Sequence, residues 1–376
     1  MKFKYLVLLL TCLLCISQTL NAQNAKEKEK IALLVSENYS KPVADAIQLL
    51  NESAEFSNHF EVFTVNNSKD QLIDAKIAVC YVHIGQVIER YSENLMQIVE
   101  KGGFAYAVGE TPAAKEYQSW GMRFDAEIDQ FFENPSPQNI KQLVLHLTNK
   151  HLGTSFPNAQ PQTYPEFGIV DWKNGKVYSD FETFNSAQDI PNEEKPWIAL
   201  YTFRYEIVTG QIDYLKEYAQ AIEQNGFRPI ILFGFPLEAP IEKFCIDPSG
   251  KSRIDVLVNF SSIPGGAPDK LARAFEKLGV PVINAISLSQ SKSEWDKSQI
   301  GIPIGNRTMA LVRPEIMGQI QPTVVSTQEL KKDKNNQIYT EKTLLKDRVS
   351  NLAAKIKAWS ALRRTDNSDK DITLIY

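Results

Sequence analysis

The stretch from Trp197 to Ser289 constrains the fold of this chain more than any other. It opens with the uncharged run Trp197-Ile198-Ala199-Leu200-Tyr201-Thr202-Phe203, which stops at Arg204-Tyr205-Glu206. Thr209-Gly210 then leads into Ile212, Leu215, Ala219 and Ile222 at helical spacing, closed by Gly226. A run this short and apolar reads as a strand covered on both faces. Pro229 to Phe233, Ile254 to Phe260 and Val280 to Ile286 repeat the pattern, with helical segments Pro240 to Phe244 and Lys270 to Leu278 between them. Parallel strands need right-handed crossover connections, so the alternation predicts a doubly wound sheet with its ligand edge at the strand carboxyl ends.

The preceding half follows the same rule. Ile31 to Val35 reads as a strand, and Ser40-Lys41-Pro42 as a helix start with proline at the tolerated first position. Strands follow at Phe60 to Val65, Ala75 to Val82 and Phe104 to Val108, with helices over Ile84 to Lys101 and Asn139 to Leu152. Pro157, Pro161 and Pro165 punctuate a polar stretch, Gly153 to Glu166, that reads as a linker. Past the central unit, Arg307 to Val312 reads as a helix stopped by Pro314, and Lys331 to Gln337 as a loop or hairpin tip. Thr343 to Arg364 carries Leu345, Val349, Leu352, Ile356 and Trp359 in one stripe, the longest predicted helix. The final run, Asp371 to Tyr376, reads as the start of a strand.

The expected organisation is an amino-terminal α/β domain over 31–152, a linker over 153–166 and a central α/β domain over 167–330. Residues 331–376 form a loop, a long helix and the start of a further domain. The fold class is α/β, with tandem Rossmann-like or flavodoxin-like parallel-sheet domains, helices on both faces and a long C-terminal helix.

The first 22 residues are excluded from the fold. Lys2 and Lys4 precede an apolar core, Tyr5 to Ile16, and Ala22 offers a small residue before Gln23. This is the pattern of a secretory signal peptide, which places the protein in the periplasm or cell envelope. Leu20 is larger than the usual residue three before a cut, which leaves a retained anchor as the alternative, and Cys12 and Cys15 raise lipid attachment. Removing the two lysines takes the formal charge from −4 to −6. So acidic a chain has no electrostatic footprint for nucleic acid. Cys80 and Cys245 remain, each in an apolar stretch of a different predicted domain, and read as buried free thiols.

Several short motifs follow one another in a fixed order. They are Arg204-Tyr205-Glu206-Ile207-Val208-Thr209-Gly210, Asn225-Gly226-Phe227-Arg228-Pro229-Ile230, Asp255-Val256-Leu257-Val258-Asn259 and Leu278-Gly279-Val280-Pro281-Val282. Ser293-Glu294-Trp295 comes next, then Arg313-Pro314-Glu315-Ile316-Met317-Gly318 before Gln321-Pro322-Thr323. In this order the chain resembles the large subunit of the metal chelatases, the family of cobaltochelatase CobN and the magnesium chelatase H subunit. The resemblance is firm from Phe167 to Tyr376, looser from Ile31 to Leu152, and covers the amino-terminal third of such a subunit. It implies a tetrapyrrole and a divalent metal (cobalt, magnesium or iron) as substrates, with ATP hydrolysed by separate subunits and no cofactor held by this chain. It implies as partners the remaining part of a large subunit or a membrane transport protein. The residues that insert the metal lie largely beyond this portion. An exported member would bind a tetrapyrrole, or help to strip metal from one. A two-lobed solute-binding protein is the third reading, suited by the linker but not by the motifs.

The residues assign no catalytic group. Arg204, at the end of a central predicted strand, suits a propionate, and Tyr205 suits stacking on a macrocycle. Thr209 and Gly210 sit where a helix is expected to begin, with N–H groups that suit a carboxylate or simply cap the helix. Asn259 and Ser261 end the next strand at the same edge, before Pro264-Gly265-Gly266. Trp295 reads as a hinge between domains or a stacking ring. Of the four histidines, His146 and His151 are five apart and do not share a helical face, and His83, at a strand end, is the metal or haem candidate. The sequence contains no H-E-x-x-H, G-x-S-x-G, G-x-G-x-x-G or Walker-type loop, which argues against zinc protease, serine hydrolase, dinucleotide and ATPase functions. Export is checked by expressing the full chain with secretion intact and measuring its mass. A product beginning at Gln23 is expected, and an uncut chain would favour the anchor.

Overall fold

The computed structural model describes residues 27–64, 72–82, 86–188, 195–261, 267–371 and 373. His83, the Pro264-Gly265-Gly266 turn and most of the run from Asp371 to Tyr376 lie outside them. The chain divides into two compact units. One comprises Met1–Glu133 and Pro137–Gln160, and the other Asn134–Ser136 and Pro161–Tyr376.

Unit 1 is a five-stranded parallel sheet in the order β2-β1-β3-β4-β5. In chain order its elements are β1 (Glu29–Leu34), α1 (Glu37–Asn51), β2 (Phe60–Thr64), β3 (Ala75–Tyr81), α2 (Ser92–Glu100), β4 (Phe104–Val108), β5 (Arg123–Phe124), α3 (Ala126–Glu133) and α4 (Pro137–Leu152). Side chains alternate across the strands. Ile31, Leu33, Ile77, Val79 and Val108 face α1, α3 and α4, while Ala32, Leu34, Ala78, Cys80 and Ala107 face α2. Burial on both sides explains why these strands read as continuous apolar runs. The smaller alanines on the α2 side let that helix approach closely.

Two boundaries differ from expectation. Helix α1 begins at Glu37, so Pro42 lies inside it rather than at its first position. Val43, Ala46, Ile47 and Leu50 bury completely, and that packing outweighs the proline. The helix expected from Ile84 to Lys101 is broken, its described parts being Gln86–Glu89 and α2.

Unit 2 holds an eight-stranded sheet in the order β13-β12-β11-β10-β8-β9-β6-β7. Its elements are β6 (Gly168–Val170), β7 (Val177–Tyr178), β8 (Trp197–Thr202), α5 (Arg204–Val208), α6 (Asp213–Gln224), β9 (Arg228–Phe233), β10 (Ile254–Asn259), α7 (Pro268–Leu278), β11 (Val282–Ser287), β12 (Ile320–Lys332), β13 (Ile338–Leu344) and α8 (Lys346–Arg364). Strands β8 to β12 are parallel where they pair, but the sheet is mixed. β6 runs antiparallel to both β7 and β9, and β13 runs antiparallel to β12. For the consecutive pairs β6–β7 and β12–β13 the cause is connection length, because a tight turn can join only antiparallel neighbours. Between β12 and β13, Asp333 Oδ1 accepts from the amides of Asn335 and Gln337, and Asn336 takes a positive φ of 62°. That turn makes Lys331 and Lys332 strand rather than loop, and Thr343 and Leu344 strand rather than helix.

The two faces of this sheet carry different helices. Ile198, Leu200, Val256, Val258 and Ile283 pack on α6 and α8. Ala199, Tyr201, Leu232, Leu257 and Val282 pack on α7 and on Ile241–Cys245, which forms a π turn instead of the expected short α-helix. Leu352 and Ile356 seat α8, each adding about 1.5–3 kcal/mol of burial. The far end of α8 is held by Asp255, which accepts from Ser360 Oγ at 2.6 Å and Arg364 Nε at 2.7 Å. The segment before β12 also departs from expectation. A helical path runs through Ile304–Arg307, a π turn at Thr308–Val312 and Arg313–Ile316, so Pro314 does not stop it. The π turn at Thr308–Val312 ends directly before the piece that carries Pro314. Cys80 and Cys245 are free and buried, and burial pushes both thiols far above their ordinary range.

In unit 1 one histidine couples packing to pH. His151, at the end of α4, stacks on Phe104 with centroids 3.7 Å apart, and its Nε2 lies 2.6 Å from Tyr106 Oη. Burial, then the charges of Arg123 and Lys150, push its pKa below the ordinary histidine value, with Asp125 opposing. The folded unit therefore binds this proton less readily than the unfolded chain. The stability contributed by the neutral ring is complete above about pH 6.5 and is lost as pH falls through the lowered value. Thermal melting from about pH 7 to about pH 5 is expected to show a falling Tm that His151→Gln flattens. Identical acid slopes in both proteins would contradict the assignment.

Candidate functional site at the carboxyl edge of the larger sheet

Strand order reverses between β8 and β10. From β8 the chain crosses through α6 on one face to reach β9. From β10 it crosses through α7 on the other face to reach β11. The carboxyl ends of β8 and β10 therefore flank the strand-order reversal, the place where open α/β sheets take ligands.

Strand β8 stops at Thr202, so Arg204 is not a strand end but the first residue of α5. Its guanidinium donates from Nε to the Pro165 carbonyl (2.9 Å), and from one Nη to Asn134 Oδ1 (2.5 Å) and the Tyr164 carbonyl (2.9 Å). These bonds moor the stretch before β6 to the end of β8, and they use much of the donor fork expected to meet a propionate. Thr209 and Gly210 also differ from expectation. They close α5 instead of opening the next helix, which begins at Asp213. Their amides donate to the carbonyls of Tyr205 and Ile207, and Gly210 takes a φ of +73°, so neither N–H is turned to a carboxylate. Tyr205 Oη accepts from Gln211 Nε2 at 2.8 Å.

The residue between them was not singled out from sequence. Glu206 is buried, and its carboxylate accepts from Thr202 Oγ1 and Tyr214 Oη, both at 2.5 Å, and from Lys342 Nζ. Burial first, then the Glu206 charge, push the Tyr214 phenol well above its usual range. Lys342 comes from β13, the far edge strand, where it pairs with Gln328 beyond the last β11–β12 partners. The hairpin therefore overshoots the sheet and returns its lysine to the end of β8.

The opposite face carries a polar row across the same level. Tyr201, Asn259 and Asn284 are register partners on β8, β10 and β11. Tyr201 donates to the Gly234 carbonyl, and Asn284 Nδ2 to the Ala310 carbonyl, in the π turn, at 2.7 Å. Asn259 Oδ1 accepts from the Ser261 amide at 2.9 Å, and its Nδ2 donates to Gln319 Oε1 at 3.1 Å. Asn259 and Ser261 are fully buried. Two buried atoms along this face lack a protein partner, Glu238 Oε2 and Gln319 Nε2. Asn284 had a sequence signal, since it stands alone as a polar residue in an apolar strand. Gln319 and Glu238 had none.

Trp295 lies within unit 2, in the short helix Lys292–Lys297, and packs against Ile286, Leu288 and Ile302. The polar groups at the edge come together from β8, β10, β11 and β13, while Trp295 belongs to a separate cluster. Among the described residues no group of three or more His, Cys, Asp or Glu side chains is placed to hold a metal ion, and no helix is long and apolar enough to cross a membrane. A separate cavity of about 430 Å³ in unit 1 opens at the amino ends of β1 and β2, lined by Glu29, Glu55, His59 and Phe156 among others.

Removing Lys342 tests the buried cluster. Lys342→Met strands the Glu206 carboxylate and is expected to cost about 3 kcal/mol in urea unfolding, the low end for a broken buried pair because 26% of the lysine side chain stays in solvent. Adding Glu206→Gln is expected to restore most of that loss. Simple additivity of the two substitutions would show that the pair does not interact.

Comparison with known proteins follows the same region. A family model described as CobN/Magnesium Chelatase matches residues 129–376. The chain is 22% identical over 321 residues to the chloroplast magnesium-chelatase subunit ChlH of Oryza sativa subsp. indica, covering 77% of this chain and 23% of that protein. It is 22% identical over 193 residues to the aerobic cobaltochelatase subunit CobN of a Sinorhizobium species, covering 48% of this chain and 15% of that one. The catalytic subunit of cobaltochelatase from Mycobacterium tuberculosis shares the fold, with a TM-score of 0.64 at 18% identity over 92% of this chain and 28% of that one. The chain thus spans a minor part of the length of the relatives it matches. With the family model matching residues 129–376, the chain belongs to the CobN/magnesium chelatase family.

Proposed function

We propose that this chain forms the amino-terminal α/β portion of a CobN-type chelatase large subunit and engages a tetrapyrrole whose metal is inserted or removed. The family match over residues 129–376 carries this reading, because it spans the strands, the switch point and the hairpin that build the carboxyl edge. We place the ring at that edge, against Asn259 and Ser261, with Tyr205 and the α5 closure at Thr209 and Gly210 forming the adjoining wall. Arg204 then acts through the segment it moors, and Trp295 through packing. Cobalt, magnesium or iron is the transferred substrate, and ATP enters only through separate subunits. The 2-1-3-4-5 order of unit 1 and the reversal at β8/β10 support the finer reading of the units as tandem doubly wound domains.

A second reading is an exported module that binds a tetrapyrrole or a partner protein without catalysis, working in the periplasm or envelope. The internal pairing of Glu206 and the committed guanidinium of Arg204 favour it, since these groups are occupied by the fold rather than held ready for chemistry. The leader-like first 22 residues point the same way.

A spectral titration of the purified chain with haem and with metal-free protoporphyrin separates the outcomes. A saturable Soret shift is expected. If added cobalt, magnesium or ferrous iron then converts the bound free base to its metal complex faster than in buffer, the chelatase reading stands. A shift without faster conversion favours the binding module. No shift with any ring would remove both.

A further inference from the structure

We propose that Gln319 is a ligand-facing donor of the carboxyl-edge site, taking a peripheral carboxylate of the bound ring. The inference rests on the tetrapyrrole reading above and deepens it by naming the group that is recognised.

The argument starts from a backbone amide whose chemistry admits one role. The Ser261 N–H can only donate, and it points at the Asn259 side chain at 2.9 Å. The atom that receives it must be oxygen, which fixes Oδ1 there and turns the Asn259 Nδ2 the other way. That NH2 reaches Gln319 at 3.1 Å and needs an acceptor, so Gln319 presents Oε1 to it. The Gln319 Nε2 is thereby forced away from Asn259 with two hydrogens to place. Flipping either amide would set NH2 against NH2, or N–H against N–H. The orphan donor is therefore a consequence of the backbone and not of an arbitrary choice of amide orientation.

Gln319 is 2% exposed, and its buried Nε2 has no partner in the protein. Buried amide N–H groups are rarely left unmade, and an unfilled one in a native fold calls for an explanation, a ligand or an ordered water among them. Its place supports a ligand. Asn259 ends β10, one side of the strand-order reversal, and is in register with Tyr201 on β8 and Asn284 on β11. The amides of Asn259 and Asn284 are committed to Gln319 and to the Ala310 carbonyl. Of the three carboxamides gathered here, Gln319 alone has an unpartnered buried nitrogen. A neutral amide donor inside an apolar sheet layer selects an acceptor, and an anionic oxygen gives the stronger bond. Carboxylates on the rim of a tetrapyrrole have that chemistry.

The test compares two rings in the same detergent, mesoporphyrin IX, which carries two carboxylates, and octaethylporphyrin, which carries only alkyl groups. Each is titrated into the full chain and into Gln319→Met and Gln319→Glu, with binding read from the Soret band. Gln319→Glu keeps the acceptor that Asn259 needs, so it guards against a variant that simply fails to fold. Both variants are expected to weaken mesoporphyrin binding by about tenfold or more while leaving octaethylporphyrin unchanged. Equal weakening for both rings would overturn the proposal in favour of a packing role. Unchanged binding of both rings would overturn it in favour of a buried water on Nε2. If the unaltered chain binds neither ring, the tetrapyrrole reading itself falls and takes this inference with it. Binding that fails to distinguish the variants rejects the inference alone.

Discussion

A carboxylate taken out of water must be paired, and Glu206 ties the larger unit together around that requirement. It sits one turn beyond the central strand, too deep for solvent to stabilise its charge. Two hydroxyls and one ammonium meet it, from β8, the start of α6 and the edge strand β13. For Lys342 to arrive, β12 must run past the end of β11 and return through a tight turn. The antiparallel hairpin at this edge and the position of α8 after it follow from that path. At the far end of α8, Asp255 makes a similar demand on Ser360 and Arg364, so the last long helix is fixed by its apolar stripe and by a buried acid at the opposite edge.

The carboxyl edge combines two kinds of polar group. On the α6 face the charges are mutually satisfied, which makes that side a structural clamp. On the α7 face the row of Tyr201, Asn259 and Asn284 interrupts an apolar layer with neutral groups, and each makes a specific bond. Neutral amides cost less to bury than charges and hold a fixed orientation, so they suit recognition better than electrostatic attraction over distance. In this unit the scaffold is set by apolar strands and buried acids, and the polar row by a few short side chains at strand ends.

Much of the fold was legible in the residues because parallel strands buried on both faces leave unbroken apolar runs. Trp197 to Thr202, Ile254 to Asn259 and Phe104 to Val108 were visible for that reason. So were the helices α6 and α7, whose apolar positions recur at helical spacing and whose ends carry glycine. The same logic misplaced α1, because Pro42 is a local signal and the burial of its neighbours is a tertiary one. It also ended a helix at Pro314 that a π turn carries through. Of the candidate site, Asn259 and Ser261 were legible as polar residues at the end of an apolar strand. Arg204, expected at a strand end, opens α5 instead, and its partners Asn134, Tyr164 and Pro165 lie 39 to 70 residues away, where nothing local announces them.

The sequence by itself determined the alternation of strands and helices, the acidic balance and the family, since each depends on composition, spacing or the order of short motifs. Only the tertiary structure decided which polar groups are spent and which are free. Glu206 and Lys342 are separated by 136 residues and share a buried ion pair, a pairing that no local pattern encodes. The unpartnered nitrogen of Gln319 is likewise set by a backbone amide at Ser261, through Asn259 at the end of β10, 60 residues earlier in the chain. Periodicity records how each segment meets the core, whereas hydrogen-bond partners are chosen by whatever the folded chain brings within three ångströms.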